Sequence, residues 1–429
     1  MSIKVHHYQE HENRLLSETD VLLSKDDYQG WFSKTHRGKE KKTFCYSLTK
    51  SLEAPGFWLK TGYCIGLDWL EPGKLAINVA PKLNTDEQQV DFVRMLLSAL
   101  RHSEVAPETH NLVLVDWKSP PIQIEQKQDL LTPFLVAEFL GLLKAIVKKG
   151  LKRSYYSIDR NLKNRVKGKI LVGKSVKYNL LQNKKLQNYC RYEEFGLNNV
   201  ENRLLKKALL FVERYLSNYQ QLANQKEIKP IFNYIKPAFR RVSDKFDFNE
   251  LKEIKTNAFF KEYQGAVRLA KLIIRRFGYN VANTQKQVVP TPVFWIDMSK
   301  LFELYVLGLL KDRFQKQVRF QYTFYGNELD YLLKTKDYQM VIDAKYKPKY
   351  SNDKDDADIR QVSGYARLKK IYEELDVNRG AVIDCLIIYP DQENGKINLL
   401  DVNLKEVEIP HYFDVYKLGV KLPLMNESR

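Results

Sequence analysis

The sequence has little cysteine: its four cysteines, Cys45, Cys64, Cys190 and Cys385, lie far apart and form no CxxC pair. Neither a zinc site nor a disulfide framework is therefore supported. The sequence also lacks any run of about 20 uncharged apolar residues, which argues against a membrane span. Its polar first residues lack the apolar core of a secretory signal, and its seven histidines are scattered. We expect a cytoplasmic protein that does not contact a membrane.

Apolar and positively charged residues are, by contrast, abundant. With 429 residues and a hydrophobic fraction of 44%, the chain can form two or three domains, and disorder is not expected. The formal net charge of +18 is concentrated in residues 144–191, which hold 15 Lys and Arg and a single acid, Asp159. A solvated helix face rarely shows such an imbalance. We expect this segment to bind the phosphate backbone of a nucleic acid, with an acidic protein partner as the rival.

Local patterns predict a multidomain α+β protein in three regions. Residues 1–125 form a β-rich N-terminal domain, residues 126–285 a helical and basic middle region, and residues 286–429 a C-terminal α/β domain with a mixed central sheet. In the first region the turn at residues 71–74 predicts a hairpin. It is followed by a predicted helix at residues 87–100.

The middle region is predicted from a buried helix at residues 130–143 and from Asn199, which can cap the next helix. Further helical patterns cover residues 251–275. Residues 289–292 are predicted to be a linker into the C-terminal region. That region has the order helix, three strands, helix, two strands, with Ser299 as a candidate helix cap. The predicted strands and the second helix lie at 318–325, 328–334, 339–344, 381–389 and 356–375.

Three residues of the C-terminal region carry a pattern suited to phosphodiester hydrolysis. Asp343 and Lys345 lie two positions apart on one predicted strand, so their side chains share a face. Asp330 ends the preceding strand and can reach the same metal ion. Carboxylates that hold Mg²⁺ activate water, and a nearby lysine can orient that water. A surface ion pair between Asp343 and Lys345 is the alternative interpretation.

Two further features strengthen the pattern. Glu303 lies among apolar residues of the first C-terminal helix, where a carboxylate is otherwise poorly placed. Gln361 and Tyr365 lie four residues apart on the second helix and so share one face. Solvated helix positions remain an alternative for Glu303 and Gln361.

The pattern and the order of helices and strands resemble the PD-(D/E)xK nuclease superfamily. This resemblance implies that Asp330, Asp343 and the backbone carbonyl of Ala344 bind Mg²⁺, which Mn²⁺ can replace. It further implies that Lys345 acts on the attacking water and that Gln361 and Tyr365 support the site or contact DNA. The superfamily motif is named for a proline before its first aspartate, and in this sequence Leu329 occupies that position. Two carboxylates do not determine how many metal ions bind.

Motifs along most of the chain resemble a narrower family, McrC, the nuclease subunits of McrBC modification-dependent restriction systems. They are residues 77–83 (INVAPKL), 94–96 (RML), 165–169 (RVKGK), 192–195 (YEEF), 202–205 (NRLL) and 294–303 (FWIDMSKLFE). The resemblance implies a partner, the GTP-hydrolysing AAA+ hexamer McrB, which recognises modified cytosine and translocates DNA. It also implies that residues 1 to about 285 dock into this ring and stimulate its hydrolysis.

A competing motif lies in the basic segment. Residues 168–175 (GKILVGKS) satisfy the letters of a P-loop, but a P-loop follows a buried strand, whereas residues 161–167 are polar and basic. We expect no nucleotide on this chain. Candidate DNA-binding cations in the same segment are Lys163, Arg165, Lys167 and Lys169.

Three functions remain open at this point. The first is an endonuclease subunit driven by an NTPase partner, and the second is an adaptor whose nuclease fold is no longer catalytic. The third is a stand-alone repair nuclease. The acidic run at residues 351–358 is predicted to be a solvated loop.

Overall fold

The computed structural model describes residues 3–16, 27–36, 39–52, 55–85, 88–102, 104–109, 112–116, 118–125, 131–218, 228–247, 261–280, 288–324, 326–347 and 356–425. Contacts divide the chain into two compact units, one made of residues 1–138 and 283–429 and the other of residues 139–282. The predicted first and third regions therefore share one compact unit, and the second unit is inserted between them. Among these described residues, no helix has the length and apolar character that a membrane crossing requires.

Strands dominate the first 125 residues, as predicted. They are β1 (Lys4–Gln9), β2 (Asn13–Leu16), β3 (Asp27–His36), β4 (Lys39–Lys50), β5 (Phe57–Thr61), β6 (Cys64–Glu71), β7 (Leu75–Ala80), β8 (Val113–Asp116) and β9 (Ile122–Glu125). The predicted hairpin through residues 71–74 is confirmed as β6–β7. Helix α1 (Phe92–Ala99) begins later than predicted, because the Asp91 carboxylate accepts a hydrogen bond from the N–H of Arg94 and so caps it.

The middle of the chain contains helices and a small sheet. Its elements are α2 (Leu131–Lys149), β10 (Ser154–Lys163), β11 (Lys169–Ile170), α3 (Val172–Tyr178), β12 (Gln187–Gly196), α4 (Val200–Asn218), α5 (Ile228–Ile235) and α6 (Lys261–Asn280). The predicted cap of α4 is confirmed, since the N–H of Asn202 donates to Asn199 Oδ1 at 2.9 Å. The predicted helical and basic middle region also contains strands, because the basic segment contributes the antiparallel sheet β10-β12-β11. Part of the predicted helix, residues 251–260, lies outside the described residues.

The last part of the chain follows the predicted order. Its elements are β13 (Val288–Thr291), β14 (Val293–Asp297), α7 (Met298–Phe314), β15 (Val318–Phe324), β16 (Asn327–Lys334), β17 (Gln339–Ala344), α8 (Asp356–Ala366), α9 (Lys369–Leu375), β18 (Asp384–Pro390) and β19 (Val415–Val420). The helix predicted as one element at residues 356–375 is thus two helices.

Two predictions at the start of this part are wrong. Residues 289–292 are not a linker, because β13 pairs with β9; in a two-stranded sheet each strand has a free edge, which tolerates proline. Ser299 does not cap α7, because Asp297 Oδ1 accepts a hydrogen bond from the N–H of Lys300 at 3.0 Å. The helix accordingly begins at Met298.

The first unit is organised around β14, which lies between two strands of the N-terminal region. Its five residues are all buried, and it pairs antiparallel with β6 on one side and β8 on the other. The complete sheet has the order β1-β7-β6-β14-β8, and a second, four-stranded sheet has the order β2-β5-β4-β3. Residues 294–303, which lie in the predicted C-terminal region, therefore supply an interior strand to the N-terminal sheet and then the start of α7.

A five-stranded mixed sheet forms a third layer of strands in the first unit, beside the two sheets above and the pair β9–β13. Its order is β15-β16-β17-β18-β19, with antiparallel pairing from β15 to β17 and parallel pairing from β17 to β19. Its core joins apolar side chains of β17, α8 and β18, among them Val341, Val362 and Ile387. Both neighbours of β17 and the helix α8 therefore fix the strand that ends in Asp343 and Ala344.

Candidate active site

Strand pairing brings two predicted carboxylates together. In the antiparallel pair β16–β17, Tyr331 lies opposite Ile342. Asp330 precedes Tyr331 and Asp343 follows Ile342, so the same register puts the two acids opposite each other on one face. Asp330 Oδ2 also accepts a hydrogen bond from the N–H of Ala344 at 2.8 Å. The end of β17 is therefore attached to Asp330 as well as carrying Asp343.

The two carboxyl groups lie in an environment that disfavours their charged forms. Asp343 is 3% exposed. Burial raises the pKa of Asp343, and Lys345 only partly offsets this. Burial, together with the negative charges of Glu303 and Asp343, raises the pKa of Asp330 well above its usual range. The site thus concentrates like charge where a cation would relieve it.

Lys345 connects the carboxylates to helix α8. Its Nζ lies 2.8 Å from Asp343 Oδ2 and donates to Gln361 Oε1 at 2.9 Å. Gln361 Nε2 in turn donates to the hydroxyl of Tyr365 at 2.9 Å. Burial alone would lower the pKa of Lys345, but the neighbouring carboxylates, led by Asp343, raise it. The predicted lysine, glutamine and tyrosine are therefore joined by two hydrogen bonds, and an ion pair joins the lysine to Asp343.

Glu303 reaches the site from α7. Its charge is the largest effect after burial on the pKa of Asp330, which places it near that carboxylate. The hydroxyl of Tyr331 donates to the backbone carbonyl of Glu303 at 2.6 Å and so fastens α7 to β16. The six side chains predicted from sequence for this site, including Tyr365, and the predicted backbone ligand Ala344 lie within one neighbourhood, although their catalytic roles remain predictions.

The prediction missed Asp358. It belongs to α8, is 8% exposed, and is not part of a solvated loop as predicted. Its carboxylate binds the ammonium of Lys347, and its Oδ1 lies 3.9 Å from Lys345 Nζ. The available signal was its spacing from Gln361, since residues three apart share a helix face. The remaining part of the predicted loop, residues 351–355, lies outside the described residues.

The donor set suits a hard divalent cation. Carboxylate and carbonyl oxygens are the ligands that Mg²⁺ prefers, and Asp330, Asp343 and the Ala344 carbonyl supply them. In the described part of the chain, no group of three or more His, Cys, Asp or Glu side chains is already arranged to hold a metal ion. The fit therefore rests on the two paired carboxylates and on the buried excess of negative charge around them.

The candidate DNA-binding cations lie in the second unit. Lys163 ends β10, Lys169 starts β11, and Arg165 and Lys167 lie in the turn between these strands; all four are exposed. Asp159, the single acid of the segment, binds Arg191 at 2.6 Å and Lys174 at 2.6 Å. These two cations are therefore partly neutralised, whereas the turn presents its positive charge to solvent.

Large apolar side chains are exposed beside these cations. Val172 is 67% exposed, Leu180 58% and Leu181 77%. Exposed apolar groups of this size favour a protein surface as readily as a nucleic acid. The surface of the basic segment therefore suits both phosphate binding and partner binding.

The residues that match the P-loop motif, 168–175, have a structural role. Gly168 has a φ of +68°, and a Cβ there would come within 2.4 Å of the Arg191 carbonyl oxygen. Ser175 lies within α3, and its Oγ accepts a hydrogen bond from the N–H of Tyr189 at 2.9 Å. These two residues thus hold β11 and α3 against β12.

Comparison with known proteins gives one family and several solved structures. The family model described as "McrBC 5-methylcytosine restriction system component" matches residues 59–390. A chain in the structure of McrB AAA+ hexamers with bound McrC from Thermococcus gammatolerans is similar at 14% identity and a TM-score of 0.39, covering 97% of this chain and 94% of that one. A chain of the McrBC complex from the same organism is similar at 14% identity and a TM-score of 0.29, with coverages of 72% and 87%. No curated protein matches.

Proposed function

The chain belongs to the family of McrBC 5-methylcytosine restriction system components, and we propose that it is the DNA-cleaving subunit of such a system. In this proposal it is a Mg²⁺-dependent endonuclease with a PD-(D/E)xK fold in its C-terminal mixed sheet. It works together with a GTP-hydrolysing McrB-like AAA+ hexamer, whose hydrolysis it stimulates, and its substrate is DNA, with modified cytosine as the expected mark.

One observation carries the proposal: Asp330, Asp343, Lys345 and Gln361 converge at the end of β17. Lys345 Nζ lies within hydrogen-bonding distance of both Asp343 and Gln361. Asp343 is buried in an interior strand of the sheet, so the group is held by a rigid element. A surface ion pair would need neither the burial nor the second carboxylate of Asp330, which makes that alternative a poor account of the geometry.

Each residue has a distinct part in the proposed reaction. Asp330, Asp343 and the Ala344 carbonyl would hold Mg²⁺, which supplies Lewis-acid stabilisation of charge on the phosphate and lowers the pKa of a bound water. Lys345 orients the attacking water and is itself held by Asp343. Gln361 fixes the Lys345 side chain, and Glu303 and Tyr365 complete the surroundings of the two carboxylates.

In this proposal the AAA+ partner selects the DNA to be cut and supplies the motor activity. The Thermococcus gammatolerans structures contain McrC bound to McrB AAA+ hexamers, and the family match supports an equivalent assembly here. The basic turn with Lys163, Arg165, Lys167 and Lys169 is proposed to bind the DNA backbone, because its charge is exposed. Nucleotide binding is assigned to the partner alone.

Plasmid cleavage tests this function. Methylated plasmid is incubated with the chain, its cognate AAA+ partner, GTP and Mg²⁺, and wild type is compared with Asp343→Ala. The matched control is Asp337→Ala, which removes an exposed aspartate from the turn between β16 and β17. We expect the Asp343 variant to lose cleavage while it still binds the partner and stimulates GTP hydrolysis.

The alternatives give different results. Equal cleavage by the Asp343→Ala variant would place the chemistry elsewhere and make the chain an adaptor of the motor. Cleavage by the isolated chain at the rate of the full assembly would indicate a stand-alone nuclease. Loss of cleavage in the Asp337→Ala control would mean that the assay reports on folding rather than on the site.

A further inference from the structure

A buried polar cluster within the first unit joins the N-terminal sheet to the end of β17. Glu10 follows β1 and is 3% exposed, and Tyr346, which comes directly after Lys345, is 5% exposed. The hydroxyl of Tyr346 donates to Glu10 Oε2 at 3.2 Å. The N–H of Lys82, two residues after β7, donates to the same oxygen at 3.1 Å. One buried carboxylate therefore binds both the N-terminal sheet and the residue next to Lys345.

The ammonium of Lys82 completes this cluster. Its Nζ donates to the backbone carbonyl of Tyr346 at 2.6 Å and lies 3.9 Å from the centre of the Tyr346 ring. Burial lowers the pKa of Lys82 to about 8 and raises the pKa of Glu10 to about 7, although each charge favours the other. The two charges attract each other without a direct contact, and opposite charges held away from water often stabilise a protein no more than apolar groups of similar size. Stability alone is therefore a weak explanation of why Glu10 and Lys82 are charged.

The backbone around Tyr346 shows what the pair holds in place. The N–H of Lys345 donates to the Ile388 carbonyl at 2.8 Å, and the N–H of Lys347 donates to the Lys345 carbonyl at 2.8 Å. The chain thus turns as it leaves β17, and the Tyr346 carbonyl in this turn is bound by Lys82. Since these bonds fix the peptide units on either side of Tyr346, they also fix the direction in which the Lys345 side chain leaves the backbone.

We propose that Lys82 and Glu10 are positioning residues, which hold the turn after β17 so that the Lys345 ammonium stays within reach of Asp343 and Gln361. The part of this inference that concerns cleavage rests on the proposed function, whereas the part that concerns the turn does not. The segment at residues 77–83 thereby acquires a role: it carries the lysine that connects the N-terminal sheet to the catalytic strand.

The test uses a double variant, Glu10→Gln with Lys82→Met. Lys82→Met alone would leave the Glu10 carboxylate buried without its cation, which destabilises proteins strongly. The double variant removes both charges together, so the fold is kept while the Tyr346 carbonyl loses its donor. The matched control is Lys74→Met, which removes an exposed lysine of the same sheet region whose partner is the surface residue Glu71.

Two measurements are made on the full chain with its partner. Hydrogen–deuterium exchange should become at least about tenfold faster at the amides of Lys345 and Lys347, with no change in β18. The maximal cleavage rate should fall about 10- to 100-fold, as is typical when a group that orients an active-site ligand is removed. The KM for DNA and the GTP hydrolysis of the partner should stay at wild-type values. The variant Lys82→Arg keeps a cation at this position, so its maximal cleavage rate should be higher than that of the double variant.

The outcomes separate this inference from the proposed function. Unchanged exchange at Lys345 and Lys347 in the folded double variant would overturn the positioning role, whatever the cleavage rate. Faster exchange with a wild-type cleavage rate would overturn its consequence for catalysis. If Asp343→Ala cuts as well as wild type, the proposed function fails, and the exchange measurement still decides the role of Lys82. Should the double variant not fold, Glu10→Gln with Lys82→Leu is subjected to the same two measurements.

Discussion

The candidate active site and the basic segment hold like charges in opposite ways. At the site, the half-buried Asp330 lies opposite the buried Asp343, and burial raises the pKa of both. In the segment, residues 144–191, cations such as Lys163 and Arg165 are exposed. Buried like charges repel strongly because the local dielectric is low, whereas water and salt screen exposed ones.

This difference separates two kinds of function. Two adjacent carboxylates can bind one cation and act on one bond, so a change there should alter the rate of a reaction rather than the affinity for a polymer. An exposed row of cations acts on a polyanion through the release of counterions, so a change there should alter affinity and its dependence on salt.

Asp330→Asn should lower the cleavage rate at least about 100-fold, because metal-ion catalysis contributes several kcal/mol and Asp330 is a proposed ligand. Without Mg²⁺ the variant should melt at a higher temperature than wild type near pH 8, since one of two crowded negative charges is gone. Mg²⁺ should raise the melting temperature of wild type and not that of the variant. Plasmid cleavage and thermal denaturation with and without Mg²⁺ measure these effects. An active variant would remove Asp330 from the site.

Alanine at four exposed cations of the basic turn should weaken DNA binding. The slope of log Kd against log salt should fall by up to about 3.6, which corresponds to four lost phosphate contacts. The cleavage rate at saturating DNA should be unchanged. Fluorescence anisotropy with labelled DNA at several salt concentrations measures the slope. The substituted residues are Lys163, Arg165, Lys167 and Lys169.

A charge-matched control is needed here, because any loss of four positive charges weakens binding to some degree. Four exposed lysines elsewhere in the chain serve this purpose, namely Lys60, Lys229, Lys316 and Lys336. Equal slopes in the two variants would count against a DNA contact at the turn. The exposed apolar side chains beside it would then favour a surface that binds the protein partner.

Asp68→Asn should stabilise the protein without affecting cleavage, which would show that a raised pKa does not by itself mark an active site. Burial raises the pKa of Asp68 from 3.8 to about 6. The free energy of unfolding of wild type is therefore highest below about pH 4 and falls as the pH rises through 6. At pH 8 the variant should be more stable by about 1–3 kcal/mol, and the gain should vanish near pH 4. Urea denaturation at both pH values measures this, and an equal gain at both would contradict the assignment.

Asp159→Asn should have the smallest effect. The Asp159 carboxylate binds Arg191 and Lys174 at the surface, and exposed ion pairs contribute little to stability. Freeing these two cations should raise the affinity for DNA about twofold at low salt and steepen its salt dependence. The same anisotropy titrations detect this change. Weaker binding would mean that the pair shapes the turn rather than limits its charge.

Sequence reasoning succeeded where a signal is local. The two-residue spacing of Asp343 and Lys345 predicted that they share one face, and the four-residue spacing of Gln361 and Tyr365 predicted that they share one face of α8. The order of helices and strands after residue 298 was likewise predicted, because each element has a strong pattern of its own.

It failed where pairing or contact is non-local. No local pattern shows that β14 lies between β6 and β8, which precede it by more than 170 residues. The contact between Lys82 and Tyr346 spans 264 residues. In the basic segment, β10 and β12 bury few apolar residues, among them Leu162, Cys190 and Tyr192, so the alternation that marks a half-buried strand is faint.

The position of β14 also has a consequence for synthesis of the protein. Chains are made from the N-terminus at about 5–20 residues per second, and domains usually fold as units. Here the N-terminal sheet lacks an interior strand until residues 293–297 have been made, after the whole inserted unit. Until then β6 and β8 present unpaired edges, which are sites of aggregation. A fragment that ends near residue 285 should therefore be poorly soluble, and the order of folding should be the inserted unit first and the N-terminal sheet later.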